Sequence, residues 1–351
     1  VSVTAADFAG SGTIRANGGS SASGAQSGGA GGGGRIALIA TSGTVANYTV
    51  QAFSGATGNL AGAGTIYEKN AADNGTLIID NNSLIPQAEI AEDSTPLTGN
   101  LNLASVIIRN RGVLALNGVL TASTLTMSTN GAFVSQNDGT HIIDTVTVTG
   151  GSNLTAHTRI SATDYALRIQ AVDVFVDNTS TINLNGKGYR GGFANGSADY
   201  AGEAPAGAVR AGGAECYAYA LGAGGGGHGG NGAAGTGPHC VAAQAVQVGG
   251  TGVDTYDNPT TMGGGGGGTS NNNIYFYSGG SGGGLTVMTV SGTFTNEGTI
   301  SADGTATAST QGGGAGGGIS ITANSFEGTG VIRANGGATA PYNAPAGWVV
   351  G

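Results

Sequence analysis

Carboxylate pairs are the residues of this chain whose type and spacing best suit catalysis. Two acids on one face could cleave a glycosidic bond, one as a proton donor and the other as a base or nucleophile. No cluster of arginines accompanies any pair, and Asp173 stands in an alternating strand pattern that is expected to point it outward. We therefore expect no catalytic residue, with solvated surface acids as the interpretation. The candidate pairs are Asp173 with Asp177, Asp254 with Asp257, and Glu89 with Glu92 and Asp93.

Other catalytic or metal-binding motifs match only in form. Residues 279–283 spell a nucleophile elbow, but a strand follows them where that motif requires a helix. His228 and His239 lie near Cys216 and Cys240, yet their spacing matches no usual set of metal ligands. The sequence therefore predicts neither a cofactor nor a metal site.

The two cysteines favour a structural role. Cys216 and Cys240 flank a glycine-rich stretch, where a disulfide would pin a flexible excursion of the chain. Such a bond would place the protein in an oxidising, extracellular setting. Two unrelated thiols are the alternative.

Aromatic residues concentrate between positions 187 and 278. Rigid aromatic side chains among Gly, Ser and Asn are typical of binding surfaces, and they stack on sugar rings. The same residues could instead form a small core that anchors a long insertion, and both interpretations stay open. The surface-binding candidates are Tyr189, Tyr200, Tyr217, Tyr219 and Tyr256.

Composition limits the class of protein that could carry these residues. Of 351 residues 72 are glycine and only 9% are charged, a composition that disfavours helices. Acidic residues outnumber basic ones, 20 to 11, and no basic stripe exists that could bind nucleic acid. No apolar run is long enough to span a membrane. The chain begins at Val1 without Met or a signal sequence, so we interpret it as a mature or excised piece.

An internal repeat indicates the architecture. Residues 1–19 recur, with few changes, as residues 319–337. Inside them lies a seven-residue pattern: apolar, any, Gly or Asn, any, small, any, apolar. We interpret it as a corner between two short strands, turned by glycine or asparagine at positive φ, with single glycines such as Gly12, Gly112 and Gly330 turning each rung. Its copies span 8–14, 79–85, 108–114, 127–133, 148–154, 176–182, 294–300 and 326–332.

The spacing of the corners predicts an all-β parallel β-helix. Intervals of about 19 to 29 residues suit one rung with loops of varying length, and stacked rungs bury an aliphatic column. A β-sandwich would not repeat one corner motif. We expect a single continuous solenoid over residues 1–351, a large Gly/Tyr-rich insertion over 187–284, and a terminal rung over 319–351.

The glycine tracts return directly into predicted strands, as Gly34, Gly284 and Gly318 show. Floppy linkers are one interpretation. We favour extended, polyproline-II-like excursions that pack side by side, because only glycine allows backbones to approach so closely.

Several segments resemble very large glycine-rich bacterial surface proteins of the adhesin type. The similar stretches are 31–38, 62–67 followed by 75–81, and 185–192. The resemblance implies a right-handed parallel β-helix of the pectin-lyase-like kind, and it supplies no catalytic residues.

Together these patterns predict a non-enzymatic structural protein: a β-solenoid subunit of an extracellular filament, sheath or giant cell-surface adhesin. Its partners would be copies of itself, stacked head to tail, and surface polysaccharide, but neither nucleic acid nor the membrane interior. A polysaccharide-binding or polysaccharide-cleaving β-helix protein is the alternative. A third hypothesis makes the Tyr-rich insertion the contact surface of an adhesin. The subunit-contact candidates are Val1, Val3, Phe8, Trp348, Val349 and Val350.

Overall fold

The computed structural model of the protein is all-β, and its strands pair mainly in parallel. It describes residues 1–21, 28–56, 61–84, 94–160, 163–192, 200–216, 222–236, 247–271, 275–308 and 310–339. None of these described residues lies in a helix. The predicted fold class is therefore confirmed at the level of an all-β protein with parallel sheets.

Two large sheets dominate. Sheet A has ten strands in the order β1 (Ser2–Ala5), β3 (Arg35–Ala40), β5 (Thr65–Lys69), β6 (Thr76–Asp80), β8 (Leu101–Arg109), β10 (Leu120–Met127), β12 (Thr140–Val148), β14 (Leu167–Val176), β19 (Leu285–Asn296) and β21 (Gly318–Glu327). Sheet B has seven, in the order β22 (Val331–Arg333), β20 (Thr299–Ser301), β15 (Thr181–Asn183), β13 (Asn153–Ala156), β11 (Ala132–Ser135), β9 (Val113–Asn117) and β7 (Thr95–Thr98).

Two smaller sheets complete the described strands. One joins β2 (Thr13–Arg15) to β4 (Thr49–Gln51), and the other joins β16 (Ala214–Cys216), β17 (Thr269–Asn271) and β18 (Tyr275–Tyr277). From β8 onward, the chain passes from sheet A to sheet B and back, and each visit adds a strand parallel to the previous one. We call a strand of sheet A, with the shorter strand that follows it, a rung.

The predicted corner lies between the two strands of a rung, and six of its eight copies contain a residue at positive φ. In three copies the left-handed residues stand at the third and fourth positions of the pattern, as Asn110 and Arg111 show (φ 50° and 62°). In the copy at 79–85 they are Asn82 and Ser83, its fourth and fifth residues. The fifth-position glycines Gly12, Gly112 and Gly330 have no positive φ. The prediction that they turn the chain is therefore wrong.

Close stacking explains the small fifth residue instead. A Cβ added at Gly112 would lie 2.5 Å from the carbonyl oxygen of Ile79 in the rung before, and one at Gly330 equally close to that of Gly298. No side chain fits at such a distance, so the fifth position is small because consecutive corners touch backbone to backbone.

The main core lies between sheets A and B. Paired residues of neighbouring strands point to the same face, so aligned apolar residues form columns. One column joins Val106, Leu125, Val146 and Val174, all of which are buried. Aliphatic side chains fill such columns with few aromatics, as the composition predicts.

Sheet A changes direction once, between β5 and β6, which pair antiparallel. The core changes face at the same point. Ile36 and Ile66, paired with each other, belong to a second core, and Ile78, paired with Ile66, packs against it. Leu77, on the opposite face of β6, belongs to the main core. The strands before the reversal therefore run oppositely to those after it and bury the opposite face of the same sheet.

Candidate interaction surfaces

The two ends of sheet A carry apolar side chains that are exposed. At the β1 end, Val1 is 60% and Val3 39% exposed, and Phe8 is partly buried against Tyr48, with ring centroids 6.4 Å apart. Trp348, Val349 and Val350, the other subunit-contact candidates, lie outside the described residues.

At the opposite end, Phe326 is 50% and Ile332 45% exposed. The Phe326 ring stacks on that of Phe294 in the rung before, with centroids 5.4 Å and planes 17° apart. Its other face is uncovered by any described rung, so this end presents an apolar column that stops at the surface.

The glycine tracts form a hydrogen-bonded bundle beside the sheets. Residues 263–268 are all buried, although they belong to none of the strands until Thr269 begins β17. Their N–H groups donate in rotation to three neighbouring segments, 279–284, 222–227 and 200–203. Successive donors return to the same segment every third residue, so three sides of the backbone are satisfied in turn. The donor–acceptor pairs are Gly263 to Gly283, Gly264 to Gly227, Gly265 to Glu203, Gly266 to Gly280, Gly267 to Gly224 and Gly268 to Tyr200.

Glycine is required in this bundle for space. A Cβ at Gly266 would lie less than 3.0 Å from backbone atoms of Gly312, and one at Gly279 equally close to Gly266. Neither Gly266 nor Gly279 has a positive φ, so conformational freedom is not the reason. The tracts are thus packed segments and not linkers.

An ionic cluster holds the insertion to the sheets. Glu203 accepts hydrogen bonds from Arg190, whose Nη2 lies 2.6 Å from Oε1, and from Nη1 of Arg159. Arg159 also bonds Asp164, with its Nε 2.5 Å from Oδ1. Burial tends to raise the pKa of the Glu203 carboxyl, but the two arginines outweigh it and lower that pKa below its usual value. The members of this cluster are far apart in the sequence, and no local pattern indicates that they meet.

The tyrosine candidates divide between this anchor and the surface. The guanidinium carbon of Arg159 lies 4.4 Å from the centroid of the Tyr189 ring, which packs against a small buried cluster. Tyr200 is partly buried at positive φ (55°), and its carbonyl accepts the Gly268 N–H. Tyr256 is fully exposed. Tyr217 and Tyr219 lie outside the described residues.

Three of the four predicted acids that the structure describes accept hydrogen bonds from backbone N–H groups. Asp254 accepts the N–H groups of Thr255, Thr260 and Thr261. Burial acts to raise the pKa of the Asp254 carboxyl, but these donors outweigh it and lower that pKa to about 2. Asp173 accepts the N–H of Thr293 at 2.8 Å.

Asp177 shows the same use of a carboxylate, accepting the N–H groups of Gly150 and Thr179. Asp257 is exposed. Glu89, Glu92 and Asp93 lie outside the described residues.

His228 meets Asp254 and Thr261 without forming a catalytic relay. Its Nε2 is 3.3 Å from Oδ2 of Asp254 and 3.2 Å from Oγ1 of Thr261. A relay uses one ring nitrogen for the nucleophile and the other for the acid. Here one ring nitrogen contacts both groups, so the contacts join His228 to the two ends of the loop from Asp254 to Thr261.

Ser135 and His141 form the closest approach of a hydroxyl group to an imidazole among the described residues. Nε2 of His141 is 2.9 Å from Oγ of Ser135, and Nδ1 accepts the Leu120 N–H at 3.0 Å. Nε2 must therefore carry the proton and donate it to the serine, the reverse of activation. Both side chains are fully buried. Burial lowers the pKa of His141 to about 4.

Two further features concern the predicted disulfide and metals. The side chain of Cys216 and the whole of Cys240 lie outside the described residues, so their disulfide remains a prediction. Groups of three or more His, Cys, Asp or Glu side chains that could hold a metal ion do not occur in the described part of the chain. The described residues also include no helix long and apolar enough to cross a membrane.

A shallow depression lies on the face of sheet A opposite the main core. It contains the carboxylates of Asp73 and Asp144, and Asp73 already accepts hydrogen bonds from the N–H groups of Asn70 and Gly75. Its lining residues are Ala72, Asp73, Asn74, Asn102, Leu103, Ala104, Thr121, Ala122, Ser123, Ile142 and Asp144.

Comparisons with known protein families, with curated proteins and with solved structures found no match. The resemblance to glycine-rich surface proteins therefore stays a prediction from the sequence.

Proposed function

We propose that this chain is a structural subunit of an extracellular filament, sheath or giant surface adhesin, and that copies of it stack head to tail. On this proposal the rungs form a right-handed parallel β-helix, and the glycine tracts are polyproline-II-like excursions. The three-residue rotation of hydrogen bonds in residues 263–268 supports the second point, because polyproline II has three residues per turn.

The observation that carries the proposal is the match between the two ends of sheet A. Its outermost described strands, β1 and β21, are the first strands of the two copies of the repeat, residues 1–19 and 319–337. Each has one neighbour in the sheet, and a strand edge of this kind is a template for a further strand. A second copy of the chain would supply β1, and the similarity of its sequence to that of β21 suits it to continue the sheet.

Gly12 points to the same partner. Glycines at the fifth corner position elsewhere are required by the rung that precedes them, as Gly112 and Gly330 show. A Cβ at Gly12 would meet only the Tyr48 ring, at 3.8 Å, which is ordinary contact. The small residue is therefore unnecessary within the described chain, and it becomes necessary once a rung of another copy lies against it.

Substitution of one end residue tests the proposal. Ile332→Glu places a charge on the β22 end, where a stacked copy would desolvate it, and should abolish polymers seen by light scattering and electron microscopy. The monomer should keep its thermal stability, because this side chain is already 45% exposed.

Val172→Glu is the matched control. Val172 is equally exposed but lies in β14, which is paired with β12 on one side and β19 on the other. This variant should polymerise like the unmodified chain. Equal polymerisation of both variants, or a monodisperse unmodified chain at every concentration tested, would overturn the proposal.

A further inference from the structure

The reversal within sheet A determines how two stacked copies must be oriented. We propose that consecutive copies are related by about half a turn around the stacking axis, in addition to the twist that sheets accumulate. This inference rests on the proposed function, since it specifies the geometry of the same end-to-end contact.

Strand direction is the first argument. Strands β1, β3 and β5 run oppositely to β6 and every later strand of sheet A. A copy that is only translated would place β1 antiparallel to the β21 strand that it meets. A half turn about the axis makes the two strands parallel, like every other contact between consecutive rungs in the described main core.

The buried face is the second argument. Val3 pairs with Leu38 and shares the face of the second core, whereas Ile321 pairs with Met288 on the face of the main core. Translation alone would leave these apolar faces on opposite sides of the sheet. The half turn places Val3 of one copy beside Ile321 of the other, so that the column continues and both side chains lose exposure.

A ladder of side-chain acceptors shows that both halves of the molecule share one polarity along the axis. Oδ1 of Asn17 accepts the N–H of Phe53 in the next rung, at 2.9 Å. Oδ1 of Asn185 likewise accepts the N–H of Asp303, and Oδ1 of Asp303 that of Asn335, at 2.7 and 2.8 Å. Each acceptor occupies the same place, four residues after the first residue of its short strand.

The ladder is open at both ends. The Asn335 side chain, the next acceptor, makes no hydrogen bond with described residues, and neither do the N–H groups of Ala334 and Gly336. At the other end Ala16 and Gly18 donate inward, so the N–H of Asn17 between them faces outward and has no described acceptor.

Stacking with the half turn satisfies these groups together. Oδ1 of Asn335 receives the N–H of Asn17 from the next copy, as Asp303 receives that of Asn335. Ala334 and Gly336 donate to the carbonyls of Arg15 and Asn17 in that copy, as Ala302 and Gly304 donate to those of Arg333 and Asn335. The repeat thus supplies both halves of one hydrogen-bonded contact.

Paired cysteines distinguish the orientations. The half turn aligns Ser2 of one copy with Ser320 of the next, so S2C with S320C should yield a series of covalent oligomers under mild oxidation, which each single variant lacks. Simple translation would instead bring Ser2 toward Phe326 near the far end of β21, because the register of the strands across sheet A aligns these two residues. Ser320 and Phe326 are about 20 Å apart along a strand, beyond the reach of one disulfide.

Oligomers linked through S2C and S320C, with little linkage through S2C and F326C, are the expected result. Filaments that lack the S2C–S320C linkage would overturn the half turn and leave the proposed function standing. Failure of the unmodified chain to assemble would overturn both.

Discussion

At the residue scale, His141 is a neutral imidazole enclosed in the core, and it should make stability depend on pH. Its pKa is about 4 in the folded protein and near 6.5 in an unfolded chain, so unfolding takes up a proton between these values. The free energy of unfolding should therefore fall as the pH drops from about 6.5 to 4, by about 3 kcal/mol in total. Denaturant titrations at several pH values measure this.

His141→Gln should flatten that dependence between pH 6.5 and 4.5, because glutamine does not titrate. His157→Gln, at a partly exposed histidine of the adjoining segment, should retain it. Identical slopes for both variants would show that the imidazole of His141 is not the source. Asp254 and Glu203, whose pKa values are lowered, add their own losses only at more acidic pH.

The roles of individual residues were the least predictable feature from the sequence. The roles of Arg159, Glu203 and His141 depend on contacts between distant segments, and no spacing in the chain indicates them. The acids Asp173 and Asp254 were identified by type, but type does not reveal that backbone N–H groups already occupy their oxygens. Local patterns carry information about local geometry alone.

At the scale of the element, the glycine bundle depends on the absence of side chains. Gly266→Ala should lower the free energy of unfolding by roughly 1–3 kcal/mol or more, because its Cβ would overlap the backbone of Gly312. Gly229→Ala is the control, since a Cβ there meets nothing within 4 Å, and it should change stability little. Thermal unfolding of both variants measures the difference. Equal stabilities would contradict close packing of the tracts.

The elements themselves were largely predictable. The corner pattern located the junctions between strands of a rung, because its period-two flanks and its left-handed residues are local properties. Its fifth position was misread, since the constraint on Gly112 comes from the neighbouring rung. The reversal between β5 and β6 has no signature in the pattern either, because alternation is the same for both chain directions.

At the scale of the whole molecule, the antiparallel pairing of β5 with β6 determines how the two similar ends of the chain can meet. Residues 1–19 and 319–337 are alike in sequence, yet their strands run in opposite directions within one sheet. Similar ends suggested simple repetition. The faces of β1 and β21 instead require each copy to turn before the pattern can continue.

Electron microscopy of the purified chain at increasing concentration tests the central claim most directly. Sheet A contains ten strands, and strands lie about 4.8 Å apart, so continuous stacking predicts unbranched filaments with an axial rise of about 48 Å per subunit. Filaments with that rise are the expected result. Isolated particles of single-subunit mass at every concentration would contradict it.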